Sequence, residues 1–241
     1  MCIVTSNLYR CIFFDAGNTL LSVHPSIGYI YADTARRYGA DLDEHTVEAS
    51  FKSLWNQTTP LVSNEGHRLT YERERDWWRD IVRHVFQDHV RFEDFDAFFN
   101  DLYTRFALPE SWKLYADVIE ILDCLKKDGF RIAMISNWDS RLPALIQQLG
   151  ISSYFEKIVV SALVGYEKPH PAIFRIALED TGLAAGETVY VGDDLFLDYQ
   201  AARKAGMNAI HLDRYGRFEP HDDRISTLHE LLPRVRARAS G

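Results

Sequence analysis

Short apolar runs, each ending at a polar residue, alternate with helical patterns along most of this chain, and this alternation limits the possible folds most strongly. The runs lie at 11–14, 131–135, 157–160, 189–191 and 209–212. Helical patterns with one apolar stripe lie at 117–127, 142–149, 172–178 and 198–204. Strands that alternate with helices in this way predict an α/β fold with a doubly wound parallel sheet.

The stretch from 22 to 108 interrupts the alternation, because it contains almost no strand-like pattern. Four amphipathic helices are expected there, at 26–38, 43–55, 71–86 and 92–106. Its many aromatic side chains are expected to be mostly core. The sequence therefore predicts a Rossmann-like α/β core domain formed by 1–21 and 109–241, with an inserted all-helical cap domain at 22–108.

Composition argues against several classes of function. A net charge of −8 disfavours binding of nucleic acid through a basic surface. No apolar run reaches the ~18 residues of a membrane span, and no secretory signal pattern opens the chain. Cys2, Cys11 and Cys124 lack metal-ligand or disulfide-framework spacing. We therefore expect a cytoplasmic protein that binds neither nucleic acid nor membrane.

Polar side chains gather where the predicted strands end, at the edge where open parallel sheets bind ligands. They are Asp15, Thr19, Ser136, Asn137, Asp193, Asp194 and Asp198. Each of these residues, taken alone, is also typical of a helix cap or a turn. Their shared position at one edge of the sheet favours a ligand-binding site. Converging carboxylates repel one another, and Mg²⁺ relieves that repulsion. Lys168, which in isolation is equally typical of a surface loop, is the candidate positive charge for a phosphoryl group.

Four segments, in order along the chain, together resemble the haloacid dehalogenase superfamily. Residues 13–20 resemble its first signature, a strand followed by Asp-x-Asp-Gly-Thr-Leu, and 135–137 resemble the second. Lys168-Pro169 is similar to the third, and 191–194 with Asp198 to the fourth. The helical insertion stands where this family places its cap. Residues 24–39 look most like the branch containing the haloacid-dehalogenase-like domain-containing protein 3.

The resemblance implies a magnesium-dependent phosphatase that acts on a small phosphorylated metabolite. Asp15 would be the nucleophile and would form an aspartyl phosphate. Ser136 and Lys168 would act on the transferring phosphoryl group, and Thr19 and Asn137 would bind substrate. The expected metal ligands are Asp15, the Gly17 carbonyl, Asp193 and Asp194, with Asp198 supporting the metal from the second shell.

The chain departs from the family at Gly17, where phosphatases carry a second aspartate that protonates the leaving group. General acid–base catalysis contributes ~10²–10⁴-fold, so we expect slow turnover unless the loss is compensated. The substrate could have a good leaving group, such as an acyl phosphate. Alternatively, a cap residue could replace the acid, with His24, Glu65 and His67 as candidates.

Other chemistry remains open from the sequence alone. The phosphonatase branch carries alanine at this position, but it needs a cap lysine, and Lys52 is the only lysine between residues 10 and 112. The dehalogenase branch also lacks the second aspartate, yet its fourth motif is not an acidic cluster, which disfavours it. A non-catalytic relative that uses the fold as a binding module is the remaining alternative.

Overall fold

Six parallel strands form the central sheet of the computed structural model, which describes residues 9–237. Eight strands occur along these residues: β1 Cys11–Phe14, β2 Leu21–Val23, β3 Trp112–Leu114, β4 Arg131–Ser136, β5 Lys157–Val160, β6 Thr188–Gly192, β7 Asn208–Leu212 and β8 Arg224–Ile225. The six-stranded sheet has the order β5-β4-β1-β6-β7-β8, and its neighbouring strands run parallel. The predicted doubly wound, Rossmann-like parallel sheet is confirmed.

Helices connect the strands of this sheet and lie on both of its faces. They are α5 Val118–Lys127, α6 Leu142–Gln148, α7 Ser161–Val164, α8 Pro171–Thr181, the π-helix Leu195–Gln200, α9 Ala201–Lys204 and α10 Leu231–Ala237, numbered after the four helices of the insertion. All four residues of β1 are buried, which is why the sequence there is a continuous apolar run rather than an alternating one. On one side of the sheet, Phe13 packs in a cluster with Ile173 and Phe174 of α8.

The insertion contains helices α1 Ile27–Arg37, α2 Glu44–Trp55, α3 Tyr71–Phe86 and α4 Phe95–Arg105. Each begins at a residue whose side chain accepts a hydrogen bond from a backbone N–H of the first turn, and these caps are Ser26, Asp43, Thr70 and Asp94. Most aromatic side chains of the insertion pack into its core, as expected. Trp55, which is 47% exposed, is an exception.

The chain divides into two compact units whose bounds differ from the sequence-based ones. Within the described residues, the α/β unit comprises 9–21, 64–68 and 114–237, and the helical unit comprises 22–63 and 69–113. The sequence patterns missed two short strands, β2 and β3, which pair where the chain leaves and returns to the α/β unit. They also missed α7, β8 and α10, because two to seven residues are too short for a periodic signal.

Residues 64–68 group with the α/β unit, and two hydrogen bonds join them to the segment 165–167. The amide of Gly66 donates to the carbonyl of Gly165 at 3.1 Å, and the amide of Glu167 donates to Oδ1 of Asn64 at 2.8 Å. A Cβ on Gly165 would lie 2.3 Å from the amide nitrogen of His67, so this approach requires glycine. No helix within residues 9–237 is long and apolar enough to cross a membrane.

Candidate active site

The sheet register places the ends of three central strands within two residues of one another. Phe14 of β1 pairs with Met134 of β4 and with Val191 of β6. The amide of the next residue, Asp15, donates to the carbonyl of Val191 at 2.9 Å. Polar residues that follow these strands therefore meet at one edge, where parallel sheets bind ligands.

Lys168 is the centre of a buried network of charges at this edge. Its Nζ donates to Oδ1 of Asp15 at 2.7 Å, to Oδ1 of Asp198 at 2.5 Å and to the hydroxyl of Tyr190 at 2.9 Å. The lysine is only 3% exposed. Burial acts to lower its pKa, but the two carboxylates outweigh burial and hold the pKa above its usual range. Lys168 is therefore a fixed cation beside Asp15.

Negative charge is nevertheless in excess at this edge, because Asp193 joins the cluster. Burial raises the pKa of Asp15 to about 6; the charge of Lys168 opposes that rise and the charge of Asp198 adds to it. Burial also raises the pKa of Asp193 to about 8, and the charges of Asp15 and Asp198 act in the same direction. In the absence of a cation, this arrangement of carboxylates holds protons near neutral pH.

The donor set fits Mg²⁺, which takes one or two carboxylates and keeps several waters. Within the described residues, Asp15, Asp193 and Asp198 each offer an oxygen within 4.8 Å of the others. Asp198 is occupied by other partners: Oδ1 binds Lys168, and Oδ2 accepts from the amide of Asp194 at 3.0 Å. This arrangement is compatible with direct metal contacts by Asp15 and Asp193 and with support from Asp198, and these roles stay predictions.

Asp194, for which a direct metal contact is predicted, caps a helix with one of its carboxylate oxygens. Its Oδ1 accepts from the amides of Phe196 and Leu197, both at 2.7 Å, and so caps the π-helix. A carboxylate in this position satisfies the first free N–H groups of a helix. The metal contacts predicted for Asp194 and for the Gly17 carbonyl both stay predictions.

Three further predicted residues surround this cluster. Thr19, fully buried, donates from Oγ1 to Oδ1 of Asp193 at 3.3 Å. Ser136 is the last residue of β4 and is buried. The Asn137 carboxamide binds the backbone of Lys168 twice, by Nδ2 to the carbonyl at 2.8 Å and by Oδ1 to the amide at 2.7 Å. Asn137 thus positions Lys168, and its contact with substrate stays a prediction.

The candidates for a replacement acid lie in different parts of the chain. Glu65 and His67 belong to the segment 64–68 of the α/β unit, and their side chains are 69% and 83% exposed. His24 belongs to the helical unit. The proton-donor role of each stays a prediction.

Sequence reasoning missed three residues that hold the site together. The hydroxyl of Tyr190 lies 2.9 Å from Oδ1 of Asp198 and 3.1 Å from the carbonyl of Ile135. Nε2 of His211 lies 3.1 Å from the carbonyl of Asp193. Tyr190 and His211 had a detectable signal, because a polar ring inside a buried strand needs a hydrogen-bond partner.

Arg214 is the third missed residue, and it lies in a loop without a distinctive pattern. Its Nη2 donates to the carbonyl of Thr19 at 2.8 Å, and its guanidinium binds both carboxylate oxygens of Asp117 at 3.0 Å. Its side chain is 9% exposed. The bidentate pair therefore fixes the loop that follows Asp15.

Two known proteins are similar in sequence to this chain. A haloacid dehalogenase-like hydrolase domain-containing protein 3 from Xenopus laevis is 32% identical over 234 residues, covering 94% of this chain and 95% of that protein. A glyceraldehyde 3-phosphate phosphatase from Methanopyrus kandleri is 35% identical over 150 residues, covering 56% of this chain and 61% of that protein.

Solved structures show the same fold. YfnB from Bacillus subtilis, a HAD-hydrolase structure bound to magnesium, superposes with a TM-score of 0.72 at 21% identity, covering 95% of this chain and 99% of YfnB. The family model for haloacid dehalogenase-like hydrolases matches residues 9–206. The resemblance drawn from the four sequence segments is thus confirmed, and this chain belongs to the haloacid dehalogenase-like hydrolase family.

Proposed function

We propose that this chain is a magnesium-dependent phosphatase that acts on a small phosphorylated metabolite through an aspartyl phosphate on Asp15. The observation that carries the proposal is the buried contact of Asp15 with Lys168, next to the carboxylate of Asp193. A nucleophile, a fixed cation and a metal-ligating carboxylate are the main requirements of phosphoryl transfer, which depends on positioning and electrostatics. The phosphatase from Methanopyrus kandleri supports the same reaction class.

Residues of the α/β unit have different roles in the proposed reaction. One carboxylate oxygen of Asp15 attacks phosphorus, the bond to the leaving oxygen breaks, and water then hydrolyses the acyl phosphate to free Asp15. Lys168 holds Asp15 in place and balances negative charge on the phosphoryl oxygens, while Asn137 holds the backbone of Lys168. Mg²⁺, held by Asp15 and Asp193, would supply further positive charge at those oxygens.

The proposal is tested by measuring phosphate release from a panel of phosphate monoesters, acyl phosphates and phosphonates. With Mg²⁺ we expect turnover on at least one phosphate compound, and removal of Mg²⁺ by a chelator should lower it by about 10²-fold or more. Excess Mg²⁺ should restore the rate. Turnover that is unchanged by the chelator would contradict the proposal, and so would turnover that is confined to phosphonates. The absence of turnover across the whole panel would also contradict it.

Magnesium should stabilise the protein more at pH 8 than at pH 6. The pKa values of Asp15 and Asp193 rise from 3.8 to about 6 and about 8 on folding, so these groups contribute stability that is lost as pH rises through those values. Mg²⁺ competes with the protons and has less to displace at pH 8. The measurement is the shift in unfolding temperature on adding Mg²⁺ at each pH.

A matched pair of variants controls this measurement. Asp193→Asn should remove most of the magnesium shift at both pH values, whereas Asp180→Asn, on the exposed side of α8, should keep it. A shift of equal size at pH 6 and pH 8 in the unaltered protein would count against a site of buried, protonated carboxylates.

A further inference from the structure

Gly17 and Trp138 stand next to each other on the loops that follow β1 and β4. An ideal Cβ on Gly17 would lie 3.4 Å from Cζ3 of the Trp138 ring, and both residues are half-buried. The amide of Trp138 donates to Oγ of Ser161 at 3.0 Å, and its carbonyl accepts from the amide of Ala162 at 3.2 Å. These bonds fix the start of the loop that follows β4. Part of the Trp138 indole ring therefore lies beside Gly17, two positions after Asp15.

Two side chains that carry protons near Asp15, Lys168 and Thr19, are held by other partners. Nζ of Lys168 is shared between Asp15, Asp198 and the hydroxyl of Tyr190. Thr19 is bonded to Asp193. In-line displacement places the leaving group on the far side of phosphorus from Asp15, away from the end of β1. Gly17 and Trp138, which lie next to each other on the loops after β1 and β4, have no ionisable side chain.

A leaving group that receives no proton departs as an anion, which is fast only when its oxygen is a weak base. Conjugation with an aromatic ring, a double bond or a carbonyl makes an oxygen weakly basic, and it also makes the group planar. A planar group is the shape that packs against an indole ring. The absence of an acid at Gly17 and the presence of Trp138 beside it therefore select for the same chemistry.

We propose that the substrates of this site carry the phosphoryl group on the oxygen of a planar, conjugated group, and that Trp138 binds that group. This inference rests on the proposed phosphatase function and narrows its substrate class to aryl, enol or acyl phosphates. Trp138 is a specificity-determining residue in this assignment, whereas Asp15 and Lys168 carry out the transfer itself.

The first test uses the unaltered protein with Mg²⁺ and four probes: 4-nitrophenyl, phenyl, acetyl and ethyl phosphate. We expect kcat/KM to rise steeply as the leaving oxygen becomes less basic, with ethyl phosphate about 10²–10⁴-fold below 4-nitrophenyl phosphate. Asp15→Asn provides the blank. Asp15-dependent turnover with ethyl and 4-nitrophenyl phosphate within about tenfold of each other would overturn this inference and leave the proposed function standing. Absence of Asp15-dependent turnover on the aryl and acyl probes, with turnover elsewhere in the panel, would overturn this inference alone; absence across the whole panel would overturn both.

The second test compares Trp138→Leu with Trp138→Phe. The readout is the ratio of kcat/KM for 4-nitrophenyl phosphate to that for acetyl phosphate, which presents little surface for stacking. Leucine should lower this ratio about threefold to tenfold, mainly through KM, and phenylalanine should preserve most of it. An unchanged ratio in a folded Trp138→Leu protein would show that the ring does not bind the leaving group. Comparison of acetyl with phenyl phosphate separates acyl from aryl preference.

Discussion

Replacing Asp15 by asparagine should lower magnesium-dependent phosphate release by about 10⁴-fold or more, because the variant lacks the atom that bonds to phosphorus. Asparagine has nearly the same shape and can still accept a hydrogen bond from Lys168, which lies 2.7 Å from Oδ1 of Asp15. The variant should therefore fold. Its rate is measured on the best substrate of the panel, under single-turnover conditions that separate chemistry from product release.

A matched control for this variant is Asp180→Asn, which makes the same chemical change at an exposed position on α8. Its rate should equal that of the unaltered protein. Substantial activity in Asp15→Asn would show that another residue is the nucleophile, and it would remove the basis of the proposed function.

Replacing Lys168 by methionine should lower phosphate release by about 10²–10³-fold, because a fixed charge beside the transferring group is lost. The same change leaves Asp15 and Asp198 buried and without their shared cation. Breaking a buried ion pair in this way costs about 3–5 kcal/mol of the free energy of unfolding. The carboxylates can escape by taking up protons, so the loss of stability should be smaller at pH 5 than at pH 8.

Two further variants show whether the effect comes from the buried cation. Lys157→Met removes an exposed lysine, 3.8 Å from Asp180, and should leave both rate and stability unchanged. Tyr190→Phe keeps the charge of Lys168 but removes one of its three partners, so the rate should fall about tenfold or less. A rate in Lys168→Met close to that of the unaltered protein would rule out its charge as a catalytic contribution.

The sheet was predictable because buried parallel strands leave a strong apolar signal. The five apolar runs of the sequence coincide with β1, β4, β5, β6 and β7. The gathering of acidic residues at the strand ends followed from the same topology. The positions of individual side chains did not follow, since neighbouring carboxylates in one loop point in different directions. Asp194 caps the π-helix, whereas Asp193 faces the cluster.

Contacts between distant segments were also beyond sequence patterns. Tyr190 lies between Val189 and Val191 and is typical of core there, and only the structure shows its hydroxyl 2.9 Å from Nζ of Lys168. The segment 64–68 has the composition of a surface loop within the insertion. In the structure this segment belongs to the α/β unit, where Gly165 closely approaches His67. Such a contact between distant segments is visible only in three dimensions.

The central claim, that Asp15 becomes phosphorylated, is tested most directly by trapping the intermediate. The protein is mixed with Mg²⁺ and a phosphoryl-labelled substrate from the panel, quenched in acid within the first turnover, and mapped by peptide mass spectrometry. The account predicts a phosphoryl group on the peptide that contains Asp15, absent from Asp15→Asn and present in Asp180→Asn. A phosphoryl group on another residue, or a first turnover that leaves Asp15 unlabelled, would contradict it.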